Sequence, residues 1–136
     1  MFGFFKRSPR KRPDHSDRPH VDYQQVLAIA IEQKPTALQW VALVDNDGML
    51  KAQIKVADPD AVSAMTTAAQ SIGERIVSEL ENGYFRYSVT AGASGTLIIV
   101  RINEQFLLAA NVDNTQALHE IMQALWMMVA VIAATL

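Results

Sequence analysis

Between Tyr84 and Val112 the chain carries three strand-like runs with no helix between them. Tyr84–Ala91, Thr96–Ile102 and Gln105–Val112 are separated only by Gly92–Gly95 and by the tight Asn103-Glu104 turn. Connections this short join antiparallel neighbours, so the segment reads as a meander of consecutive hairpins. Whatever else the chain builds must cover that sheet.

Upstream lies another hairpin. Leu38 to Val44 is nearly continuous and apolar, as a central strand buried on both faces should be. Asp45-Asn46-Asp47-Gly48 turns the chain, and Leu50 to Val56 alternates apolar side chains with Lys51, Gln53 and Lys55. Asp58-Pro59-Asp60 then opens a long helix: Asp58 can cap free N–H groups, proline suits the first helical position, and Asp60 opposes the helix dipole. Its apolar stripe, Val62, Met65, Thr66, Ala69, Ile72, Gly73, Ile76 and Leu80, is expected to face the core, and Asn82-Gly83 to supply a left-handed stop.

A first helix is marked by Tyr23, Val26, Leu27, Ala30 and Ile31 and stopped by Pro35. A last one is expected from about Thr115, with Leu118, Ile121, Met122, Leu125 and Val129 on one side and an opening cap from Asp113 and Gln116. The order is α-β-β-α-β-β-β-α, an α+β domain.

The chain of 136 residues has room for one core. Residues 1–20 read as a separate flexible tail, rich in proline and in basic side chains, and 21–136 as the domain. The tail carries six Lys/Arg against Asp14 and Asp17, a net of +4, while the remainder carries six against twelve acids, a net of −6. Phe2, Phe4 and Phe5 precede the basic residues, the reverse of a secretory signal, so a cytoplasmic location is expected. The apolar run Ala124–Leu136 falls short of the ~20 residues that span a bilayer and reads as a buried helix.

Catalytic and metal chemistry finds little to work with. There is no cysteine, His15 and His20 lie in the tail, and His119 stands alone on the last helix. Asp45 and Asp47 begin like a calcium loop, but the twelfth position from Asp45 is Val56 instead of glutamate. Gly92-Ala93-Ser94-Gly95 has no following lysine to make a phosphate loop, and Ser94 lies between strands instead of on a strand-to-helix elbow. No enzyme activity, cofactor or metal is expected.

Surfaces are more informative. Opposite the apolar stripe of the middle helix lie Ala64, Thr67, Ala68, Ser71, Arg75 and Ser78, where a solvated face would usually show Lys and Glu. Small side chains permit close approach of another backbone, so this face is read as a contact surface, bordered by Glu74, Glu79 and Glu81 for a basic partner. Phe85, Tyr87 and Val89 alternate with Arg86, Ser88 and Thr90. Either that row pairs with a second copy, which would remove an aggregation-prone edge, or it faces the monomer core. In the tail, Phe2, Phe4 and Phe5 followed by Lys6, Arg7, Arg10, Lys11 and Arg12 resemble a minimal anchor for an anionic membrane surface, with a plain flexible leader as the alternative. The acidic body and the lack of an aromatic-basic sheet surface argue against nucleic acid.

The element order, with VALVDNDGML in the first hairpin and GTLIIVRINEQFLLAANVD in the meander, resembles the roadblock/dynein light chain family over residues 22–136. The resemblance implies a five-stranded antiparallel sheet with the long helix on one face and the terminal helices on the other. It also implies a homodimer in which the strand after the middle helix pairs with its twin and the middle helices lie side by side. Bacterial members resemble regulators of Ras-like gliding-motility GTPases, and eukaryotic relatives serve as dynein light chains or small-GTPase scaffolds. The expectation is a non-enzymatic homodimeric regulator or scaffold of a Ras-like small GTPase. A PAS- or GAF-like small-molecule sensor and a structural light chain without a GTPase are the alternatives.

Overall fold

A computed structural model describes residues 20–136. The elements are α1 (Tyr23–Ala30), continued by one 3-10 turn at Ile31–Gln33, β1 (Leu38–Asp45), β2 (Leu50–Ile54), α2 (Pro59–Glu79), β3 (Tyr87–Ala91), β4 (Thr96–Arg101), β5 (Phe106–Val112) and α3 (Leu118–Thr135). The strands form one antiparallel sheet in the order β2-β1-β5-β4-β3. The first hairpin therefore docks against the last strand, with Val41 opposite Ala110 and Leu43 opposite Leu108. β1 is an inner strand between β2 and β5, and Val41 to Val44 are all fully buried. β2 and β3 are the edges.

Because side chains alternate across a strand, the sheet divides its apolar residues between two cores. Val41, Leu43, Ile98, Val100, Leu108 and Ala110 face α1 and α3, which contribute Val26, Leu27, Ile121, Leu125, Met128, Val129 and Ile132. The other face shows Ala42, Val44, Ile99, Leu107 and Ala109, joined by Phe85. There α2 lies against β1, β3 and β4. This second core is thinner, and the only buried residues of α2 are Thr66 and Gln70, both polar.

Helix starts follow the sequence where a carboxylate is free to cap. Asp22 accepts from the Gln25 N–H at 3.1 Å, and Asp58 from the Ala61 N–H at 3.2 Å with Pro59 in the first turn. α3 departs from expectation. It begins at Leu118, its N-cap Ala117 makes no side-chain hydrogen bond, and the Asp113 carboxylate accepts from Thr115 instead. Gln116 is used elsewhere too, its Oε1 accepting from the Ala37 N–H just before β1 at 3.0 Å. The C-terminal run is a helix as expected, but it is buried only on its inner side against the sheet, with Ala130, Ala133, Ala134 and Thr135 exposed.

The middle helix stops two residues sooner than the glycine suggests. Glu81 takes the left-handed conformation (φ 57°), with the Glu81 N–H donating to the Ser78 carbonyl at 3.1 Å and the Asn82 N–H to the Val77 carbonyl at 2.7 Å. That is a Schellman stop with glutamate where glycine is usual. Gly83 (φ 90°) is a second residue with positive φ beyond it.

Candidate interaction surface

Two features of the expected middle-helix face need correction. Val62, Thr66, Ala69, Gln70, Gly73 and Val77 are the residues turned to the sheet. Met65, Ile72, Ile76 and Leu80, assigned to the core from the sequence, stand in solvent at 64%, 61%, 52% and 65% exposure. At ~100° per residue they lie roughly a quarter turn away from the inward row. The reason is clearance: Phe85 packs against Gly73, where an added Cβ would sit 2.6 Å from ring Cδ1 and closer still to Cε1. At Gly73 no side chain fits between α2 and Phe85, while the inward row on either side carries residues no larger than Val62, Gln70 and Val77.

Ala64, Thr67, Ala68, Ser71, Arg75 and Ser78 are all exposed, next to that row of bulky apolar side chains. Thr67 also lies under the first hairpin, where a Cβ on Gly48 would come within 2.9 Å of its hydroxyl. Arg75 reaches Glu79 at 3.9 Å across a fully solvated turn, an ion pair worth little. The outer face of α2 thus combines small residues with four large apolar ones, a composition suited to a close helix contact.

β3 is shorter than its apolar run. The chain enters the strand only at Tyr87, because the turns at Glu81 and Gly83 carry residues 84–86 in from the α2 side. Phe85 consequently leaves the alternating row and is buried beneath α2 in the monomer core. Tyr87 and Val89 share the opposite face, half-exposed. Tyr87 meets Trp126 of α3 edge-on at 6.0 Å, and the Arg86 guanidinium lies 5.5 Å from the same ring. β3 hydrogen-bonds to β4 along one side, and its outer edge has no strand beside it among the described residues.

A polar cluster pins α2 to the end of the sheet. Arg101 of β4 donates to Glu74 at 2.8 Å, to the Asn103 carbonyl at 3.0 Å and to Asn46 at 3.3 Å. Gln70 donates to Glu74 at 3.0 Å and to Asn46 at 3.3 Å, and the Asn46 amide donates to the Glu104 carbonyl. The cluster and Arg86, Tyr84 and Trp126 line an open groove of about 660 Å³. Its floor is already paired with itself, which suits clamping the helix better than holding a ligand. Among the described residues no three His, Cys, Asp or Glu come together as metal ligands. Phe2, Phe4, Phe5, Lys6, Arg7, Arg10, Lys11 and Arg12 lie outside the described residues.

A five-stranded antiparallel sheet with one long helix on one face and two terminal helices on the other defines a roadblock-type fold. The Roadblock/LC7 domain model matches residues 36–111, more than half of the chain, and the chain belongs to that family. Among solved structures it is similar to Myxococcus xanthus MglB, at 15% identity and a TM-score of 0.75, covering 85% of this chain and 97% of that one. A Roadblock/LC7 domain from Streptomyces avermitilis gives 16% identity and a TM-score of 0.74, over 85% of this chain and 98% of that one. The gliding protein MglB from Thermus thermophilus gives 16% and 0.69, over 81% and 84%. At these identities the likeness is one of fold. No curated protein matches the chain.

Proposed function

We propose that the chain is a non-enzymatic homodimer that regulates or scaffolds a Ras-like small GTPase, using the outer face of α2 and the edge of β3 as its working surfaces. The observation that carries this reading is the row Met65, Ile72, Ile76 and Leu80, more than half exposed, on the helix that lies over the sheet next to the outer edge of β3, which has no strand beside it among the described residues. Fully burying side chains of this size gains about 1.5–3 kcal/mol each. Completing the burial of four from each protomer therefore offers on the order of 10 kcal/mol, enough to offset the cost of association. Pairing of two β3 strands would close the open edge at the same time. The small GTPase comes from the family resemblance: similarity to MglB, named a gliding protein in Thermus, supports it.

Light scattering tests the assembly. The wild type should run near twice the 15.0 kDa chain mass, and Ile72→Asp or Ala68→Arg should bring it to the monomer mass with the circular-dichroism spectrum kept. A wild-type monomer at micromolar concentration refutes the dimer. Affinity capture from native lysate, with GTP-analogue and GDP arms, tests the partner. A Ras-like GTPase retained preferentially in one nucleotide state supports the reading; a motor or envelope protein alone would replace it with the light-chain scaffold, and a co-purifying small molecule with the sensor.

A further inference from the structure

The helix layer on the other face of the sheet is also incompletely covered. α3 buries Ile121, Leu125, Met128, Val129 and Ile132 on its inner side. Beyond Glu120 it has no charged side chain at all, and its outward ridge runs Gln123, Met127, Ala130, Ala134, with Met127 55% exposed. α1 lies alongside and adds Ile29, 49% exposed, which shares a shallow groove with Val131 and Thr135 of α3. The acidic groups near this strip are Asp22 and Glu32 on the α1 segment and Glu120 at the start of α3; Lys34 follows the α1 segment, and Arg86 lies over Trp126 of α3.

His20 and Val21 line the same groove, so the 19 residues that precede the described structure leave the domain beside the apolar end of α3. Those residues carry six Lys/Arg against two Asp, outnumbering the three acids of the layer. An apolar helix face in the interface and cations at its margin are the two components of a peripheral membrane site.

We propose that the outer face of α3, with Ile29 beside it, docks on an anionic lipid bilayer to which the basic residues of 1–19 recruit it. The dimer proposed above strengthens this. Antiparallel pairing of two identical edge strands sets the two-fold axis perpendicular to the sheet, so both α1–α3 layers and both chain entries face the same way. A planar surface could then be engaged twice at once, with the α2 layer on the side away from the membrane.

The chain lacks cysteine, so a single Ala130→Cys substitution carries a polarity-sensitive fluorophore without further change. On phosphatidylcholine vesicles containing phosphatidylserine, its emission should shift to the blue, reversibly with added salt, and it should stay put on phosphatidylcholine alone. Ala130→Glu with Ala134→Glu, both exposed helix positions, should lower partitioning onto the anionic vesicles by about tenfold or more. Their thermal melt and dimer mass should stay those of the wild type. The proposal is overturned if the glutamate pair partitions like the wild type, because the tail would then bind alone. It is equally overturned if the full chain does not partition, or if the probe is already blue-shifted without vesicles and stays so with them, because the chain's own tail would then occupy the face. None of these readouts involves a GTPase, so the regulatory reading stands or falls separately.

Discussion

Gly73→Ala isolates the contact that sets the orientation of the middle helix. In an unconstrained helix the substitution gains about 1 kcal/mol. Here the new methyl would overlap the Phe85 ring, with its Cβ 2.6 Å from Cδ1 and closer to Cε1. The ring is 3% exposed and packed among Ala42, Val44, Ile99 and Leu107, so it has nowhere to retreat. Overpacking of this kind costs about 1–3 kcal/mol. With the upper part of that range and the helix gain set against each other, the net loss is about 1–2 kcal/mol. For a domain of this size that lowers Tm by roughly 4–8 °C. Denaturant unfolding followed by circular dichroism, at one fixed chain concentration because assembly shifts the midpoint, measures it. Phe85→Leu alone should cost about 1 kcal/mol through lost packing. In the double variant the methyl should fill part of the vacated space, giving a favourable coupling of about 1 kcal/mol. A Gly73→Ala chain more stable than wild type, or strictly additive losses in the pair, would refute the steric account.

Glu81→Gly should stabilise the chain by about 0.5–1 kcal/mol, because glutamate at φ 57° bears a left-handed penalty that glycine escapes; an unchanged or lower denaturation midpoint counts against that stop. Asp113 has its carboxyl held below the ordinary 3.8, chiefly by the Thr115 hydroxyl and next by the Thr115 N–H. A depressed folded pKa means the contribution is fully present above the unfolded value and is lost as pH falls through the folded one. Carboxyl carbon shifts followed by NMR should therefore titrate Asp113 higher in Thr115→Val than in wild type, and identical curves would remove the hydroxyl from the account.

Much of the fold was legible because its signals are local. The hairpin at Asp45–Gly48, the Asp58-Pro59 helix start and the turn-separated strands from β3 to β5 each follow from residues a few positions apart. The misreadings arise where a distant partner, or a neighbour outside the expected motif, decides the outcome. The helical period shows that α2 has an apolar stripe but not which part of it meets the sheet, and the bulky half was assigned inward because size usually tracks burial. Thr66 and Gly73 inside that stripe were the available hint that the close-packed side was the small one. Phe85 belongs to an alternating row only if the strand starts at Tyr84, and the positive φ at Glu81 that prevents it has no sequence signature. Asp113 and Gln116 have the spacing of a capping box, yet Thr115 and the Ala37 N–H outcompeted the helix for them. The small-residue positions from Ala64 to Ser78 were found on an exposed face, while the large neighbours that complete the surface were missed.

The unequal depth of the two cores separates what keeps this domain folded from what is free to change. On the α1 and α3 side a substitution removes packing, whereas Met65, Ile72, Ile76 and Leu80 contribute little inside one chain because more than half of each is already in water. Exchanges at such positions ordinarily move stability by no more than about 0.5 kcal/mol. Variation can therefore accumulate along the outer rim of α2 with little penalty in folding, and descendants of one such chain could diverge in whom they pair with while their architecture stays the same.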